Sequence, residues 1–294
     1  MKQMLILMLA ALFIAVPVAA LAQDENDLDE SDDLQVDHPY DVRDREPGTP
    51  GDKAAGATPA ADAGSEAAAK PDTTAARLTR GISWLGHASF LIHDDATGKT
   101  IYIDPYKLGK DLPPADLILV THDHGDHLSP DDIALISGKS TVIVSTAAAR
   151  DKLPKGTSLT VVKAGDTLTV AGIRIDVVPA YNAKKQFHPK DKGNVGFVVH
   201  AGGRTIYHAG DTDFVPAMKN LKVDVALVPV GGTYTMDARE AAEAVNAMKP
   251  RVAVPMHYGS IVGSDSDAET FKGLAKVPVV ILKPEAPKPL TPKP

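Results

Sequence analysis

Residues 117–127 read Leu117-Ile118-Leu119-Val120-Thr121-His122-Asp123-His124-Gly125-Asp126-His127, and this stretch decides the fold. A run of four large aliphatic residues marks a buried strand. It leads directly into a loop where three histidines and two aspartates occupy six positions. Imidazole is the commonest side-chain ligand for borderline metals, and carboxylates complete mixed sites. Gly125 lets the chain turn so that closely spaced side chains converge, whereas a continuing strand would send them to opposite faces. Packing does not call for such a density of titratable groups, so the loop is expected to hold metal.

Outward from this loop, short β-rich runs recur at 82–93, 100–104, 117–121, 141–145, 159–162, 173–179, 195–200, 204–208, 225–229, 252–255 and 279–282. Helical patterns are fewer, at 130–137, 146–152 and 237–248. The last has an apolar stripe of Ala238, Ala241, Ala242, Val245 and Met248, and Asp237 with Glu240 makes a capping-box-like start. Many short strands with a few helices between them predict a mixed α/β or α+β domain with buried sheet faces.

The pattern His-x-His-x-Asp-His, present as His122, His124, Asp126 and His127, resembles the signature of the metallo-β-lactamase fold superfamily. The resemblance continues in order over 82–282. Trp84-Leu85-Gly86-His87-Ala88-Ser89-Phe90 and Ile103-Asp104-Pro105 resemble the opening strands. Tyr207-His208-Ala209-Gly210-Asp211-Thr212-Asp213 resembles the later Gly-Asp-Thr element, and Val254-Pro255-Met256-His257-Tyr258-Gly259 the closing His strand. Within the superfamily the chain is most similar to compact metal-dependent hydrolases near the ascorbate-6-phosphate lactonase and N-acyl-phosphatidylethanolamine phospholipase D branches. The resemblance implies an α+β chain folded as an αββα sandwich with two metals at one edge.

Position by position, the resemblance assigns His122 and His124 to a first metal, Asp126, His127 and His257 to a second, and Asp211 to a bridge. After the strand at 173–179 the superfamily usually supplies a third histidine for the first metal. Here the chain reads Pro179-Ala180-Tyr181-Asn182, and the next histidine is His188. An Asn carbonyl is a weak zinc ligand beside imidazole, so His188 is expected to complete the site, with Asn182 or water as the alternatives. Two divalent cations would share a hydroxide; zinc is favoured, and manganese or iron accept the same donors. Asp126 and Asp211 are expected to order this nucleophile and its proton. Asp104 resembles the family's aspartate behind the His loop. His87 and His208 adjoin motif elements and are candidates to orient ligands or touch substrate. Tyr234 and Tyr258 are candidate hydrogen-bond donors to a developing oxyanion. His38, His93 and His200 are expected to be passive. The expected activity is hydrolysis of an ester, phosphodiester or lactone of small-molecule size. The rival reading is a non-catalytic metal-retaining binding or sensing module whose first site is degenerate at Asn182.

The 294-residue chain has no cysteine, which excludes a disulfide scaffold, a cysteine nucleophile and thiolate metal sites. Its net charge of −7 resides in the leader, where eleven acids stand against two bases between Asp24 and Glu46. Residues 47–294 are close to neutral and have no Lys/Arg block with interleaved aromatics, so nucleic acid is not an expected partner. Residues 1–22 have the order of a cleavable signal, with cleavage after Ala22 and a periplasmic or secreted product. An uncleaved membrane anchor is the alternative, against which stand Pro17, the small residues Ala20 and Ala22, and the lack of a basic stop-transfer flank. Residues 23–76, acidic and then rich in Ala, Pro and Gly, are read as a disordered tether. Residues 77–283 are read as the hydrolase domain and 284–294 as an extended Pro/Lys tail.

Overall fold

Leu117 and Leu119 face one apolar layer and Ile118 and Val120 another, as the alternation of a strand dictates when both faces of its sheet are covered. The computed structural model describes residues 73–284; the expected signal segment, the leader to residue 72 and the tail from residue 285 lie outside the described residues. Strands β1 (Ile82–Gly86), β2 (Ser89–Asp94), β3 (Lys99–Ile103), β4 (Ala115–Val120), β5 (Ser137–Ser145) and β6 (Leu159–Val161) pair in chain order as one sheet. A second sheet forms the same way from β7 (Thr167–Val170), β8 (Ile173–Pro179), β9 (Val195–Ala201), β10 (Arg204–His208), β11 (Val225–Pro229) and β12 (Val252–Met256). Each sheet starts with antiparallel pairs and finishes with parallel ones: β3 to β6 run parallel in the first, β10 to β12 in the second.

Among the described residues, four α-helices complete the layers. Helix α1 (Thr73–Thr79) buries Ala75 and Leu78 in the main core. Helix α2 (Pro130–Ile136) covers the outer face of the first sheet, where Ile133 and Ile136 meet Leu91, Tyr102, Ile118 and Val120. Helix α3 (Ala238–Met248) packs Ala241, Ala242, Val245 and Met248 beside β11, and α4 (Asp265–Leu274) lies against α3 and β12. The product is the α+β, αββα sandwich that the resemblance implied. Among the described residues no helix is long and apolar enough to cross a membrane.

Three expected elements differ. The run 82–93 is two strands: Gly86 (φ +108°) and His87 (φ +49°) turn the chain so that Gly86 pairs with Ser89. Residues 279–282 make only a bridge from Val279 to Ala253; Pro278, just before it, has no N–H to give a ladder. The segment Ala147–Lys152 winds as a 3₁₀ turn, and Thr146 provides no side-chain cap. Three elements, α1, β7 and α4, lie outside the expected runs.

This topology brings the carboxyl ends of β1, β3, β4, β8, β10 and β12 to one edge. The sheets are stitched there by His257 N donating to His87 O (2.9 Å) and Val195 N donating to Thr121 O (3.1 Å).

Candidate metal centre

The histidine loop is organised from behind by Asp104, which is fully buried at the end of β3. Its Oδ1 accepts the Thr121 amide (2.7 Å), and its Oδ2 accepts both the Thr121 hydroxyl (2.7 Å) and His127 Nδ1–H (2.8 Å). Having given its only proton to Asp104, the Thr121 oxygen accepts from His122 Nδ1 (3.0 Å). One carboxylate therefore fixes the tautomer of two histidines, leaving the Nε2 lone pairs of His122 and His127 to face forward. His127 N and Leu128 N both donate to His124 O, curling the loop back before Ser129 caps α2 by accepting from Asp132 N.

The second sheet answers this loop. Asn182 donates its side-chain amide to Phe187 O (2.8 Å) and Tyr234 O (2.7 Å) and its backbone N–H to His188 O (2.8 Å). That clamp folds the loop after β8 back on itself. His188 Nδ1 donates to Tyr234 O (3.1 Å), which turns Nε2 toward His124 Nδ1, 3.0 Å away. Asp211, three residues beyond His208 at the end of β10, sends Oδ1 to within 3.2 Å of Nε2 of both His127 and His257, and Oδ2 to 3.4 Å from His188 Nε2. Gly231 is needed for this convergence: a Cβ there would stand 2.2 Å from His257 O.

Three overlapping groups result, each with its ligand atoms within 4.8 Å of one another: His122, His124 and His188; His122, His127 and Asp211; and His87, Asp126, His127 and His257. The residues present fit a cation. The buried atoms His122 Nε2, His127 Nε2, His257 Nε2 and Asp211 Oδ1 have no hydrogen-bond partner. Unpaired buried acceptors are costly and rare, and a divalent cation is the partner this donor set suits.

The electrostatics describe how the groups balance without one. Burial opposes charge on His127, but the carboxylates of Asp211 and Asp104 hold it well above the ordinary histidine range. Burial likewise opposes the charge on Asp211, yet His127 and His257 keep it well below the usual carboxylate range. His122 is pushed well down by burial and by His127 beside it, and His188 is lowered mainly by burial. Against its own burial, Asp126 is lowered by the hydrogen bond from His87.

The remaining expected residues sort clearly. His87 is a member of the third group: it is buried, its Nε2 bonds Asp126 Oδ2 (3.1 Å), and its ring lies 3.9 Å from that of His257. His208 belongs to none of the three groups. Its Nε2 donates to Ala88 O (2.9 Å), which ties the sheets together, and its Nδ1 accepts from Gly210 N (3.2 Å), which turns the chain locally, so neither nitrogen is left for substrate. Tyr234 contributes its carbonyl; its ring packs edge-on against Phe187 (4.6 Å). Tyr258 packs against Trp84 (4.9 Å). His93 pairs loosely with Asp95, and His200 bonds Asp176 Oδ2 (2.6 Å), both outside the three groups; His38 lies outside the described residues. Sequence reading missed Thr121, although its place immediately before His122 was a usable signal.

Comparison with known proteins agrees with this geometry. The family described as Beta-lactamase superfamily domain matches residues 81–257. The chain is similar to a UPF0173 metal-dependent hydrolase of Pyrococcus abyssi, 40% identical over 221 residues that cover 69% of this chain and 96% of that one. A solved structure from Parabacteroides distasonis is 34% identical, with a TM-score of 0.61 over 69% of this chain and 93% of its own. Igni18, a metallo hydrolase from the archaeon Ignicoccus hospitalis, is 28% identical, with a TM-score of 0.57 over 69% and 94%. With its two-sheet sandwich and its histidine loop at the strand ends, the chain belongs to the metallo-β-lactamase superfamily, alongside the UPF0173 proteins.

Proposed function

We propose that this metal-dependent hydrolase holds two divalent cations, zinc in the first instance, and cleaves an ester, phosphodiester or lactone. His122, His124 and His188 would hold one cation, and Asp126, His127 and His257 the other. The observation that carries the reading is Asp211, whose two oxygens reach toward histidines of both sets. When bound, the cations would polarise the scissile group and make a water nucleophilic at neutral pH. The chain's own residues do the rest. Asp104 and Thr121 keep the histidine lone pairs forward. His87 holds the Asp126 carboxylate in place through Oδ2, and that carboxylate would order the attacking water. Export is part of the proposal and is supported by the apolar run from Met4 to Ala22.

Chelator-treated protein, reloaded with zinc or manganese and offered p-nitrophenyl acetate, bis-p-nitrophenyl phosphate and a homoserine lactone, is expected to hydrolyse at least one of them only when reloaded. Equal rates with and without metal would contradict the reading. N-terminal sequencing of the exported protein is expected to start at Gln23; retention of Met1 would refute cleavage.

A further inference from the structure

Beside the second histidine set lies a cleft of about 510 Å³. Trp84, Tyr258, Ile281 and Leu282 give it an apolar wall, and His87 joins that wall to the metal groups. The indole N–H of Trp84 is already spent on His87 O (2.8 Å), so the ring offers only its apolar surface. The charged lining is Asp265, Glu269 and Lys283, two carboxylates against one cation. Asp265 and Glu269 stand one turn apart on α4 and share a face.

We propose that this cleft binds an organic ammonium group carried on an apolar aryl or alkyl body, as one end of the substrate. The two carboxylates favour a cation, and the apolar wall of ring edges and aliphatic side chains favours the body that carries it. That the occupant belongs to the substrate rests on the hydrolase reading; that it is a cation rests on the cleft.

The chain has one tryptophan, and it lines the cleft. Trp84 emission therefore reports occupancy with no need for turnover. Full-length protein, chelator-treated and metal-loaded, is titrated with 3-phenylpropylammonium and with 4-phenylbutanoate at low salt. The expected result is a saturable change with the ammonium bound at least about tenfold more tightly, and a preference below about threefold in the doubly substituted D265N/E269Q protein. No saturable change, equal or tighter binding of the carboxylate, or an unaltered preference in the double variant would overturn the proposal. A retained ammonium preference in a protein that hydrolyses nothing would sink the hydrolase reading and leave the cleft assignment standing.

Discussion

At Asp104 the backbone sits at φ +48°, and His87, His188 and His257 lie in the same left-handed region, at +49°, +54° and +60°. Such conformations cost non-glycine residues on the order of 1–3 kcal/mol each, and they persist where the surroundings over-determine them. Here the surroundings are hydrogen bonds from both sheets: Asp104 N donates to Leu119 O, and His257 N to His87 O. Asp104 also receives three donors, so an asparagine there must turn its own N–H₂ toward at least one of them. Asp104→Asn is expected to weaken metal binding by roughly 10–100-fold while the far-UV circular dichroism is retained. Competition with a chromogenic chelator measures this, and unchanged affinity would mean that the tautomers are set by something else. His188 shows how much of the site was legible. The missing histidine after β8 and the next one along the chain were readable, but the clamp made by Asn182 was not, because its partners Phe187 O and Tyr234 O are backbone atoms that the side-chain pattern does not reveal.

Elements meet across the sandwich at their turns. Asp94, ending β2, accepts from Ala96 N (2.9 Å) and the Thr97 hydroxyl (2.7 Å) in its own hairpin, and from Gly202 N (2.9 Å) between β9 and β10. Burial works against its charge, but the Thr97 hydroxyl and the amides of Ala96 and Gly202 hold its carboxyl below the usual carboxylate range. A group lowered in the folded state stabilises above its unfolded value of about 3.9 and loses that contribution as pH falls through the folded value. Asp94→Asn is therefore expected to cost about 1–3 kcal/mol in urea unfolding at pH 7. The deficit should shrink as the pH is lowered below about 3.9. A deficit that does not change with pH would assign the loss to shape. The same scale explains what the sequence hid. β7 is four residues long with no fully buried side chain, and α4 buries only Ala268 and Phe271. Neither presents an apolar period strong enough to read. The hairpin inside 82–93 was hidden for a different reason: the two-residue turn at His87-Ala88 interrupts neither the apolar content nor the β propensity around it.

Across the described residues, two sheets of the same strand logic place their parallel strand ends at one edge, and each contributes candidate ligands that the other lacks. The first supplies the loop at 122–127, the second His188, Asp211 and His257. Cations bound there would tie the halves together as well as serve the chemistry, since any species that binds only the folded state stabilises it. The proposal of two cations rests on Asp211, whose oxygens approach histidines of both sets. The most direct test is the metal content of the purified protein, prepared without chelator and determined by elemental analysis alongside His188→Ala. About two equivalents per chain, falling to about one in the variant, is the expected result. One equivalent or none in the unsubstituted protein, not restored by added zinc or manganese, would contradict the account.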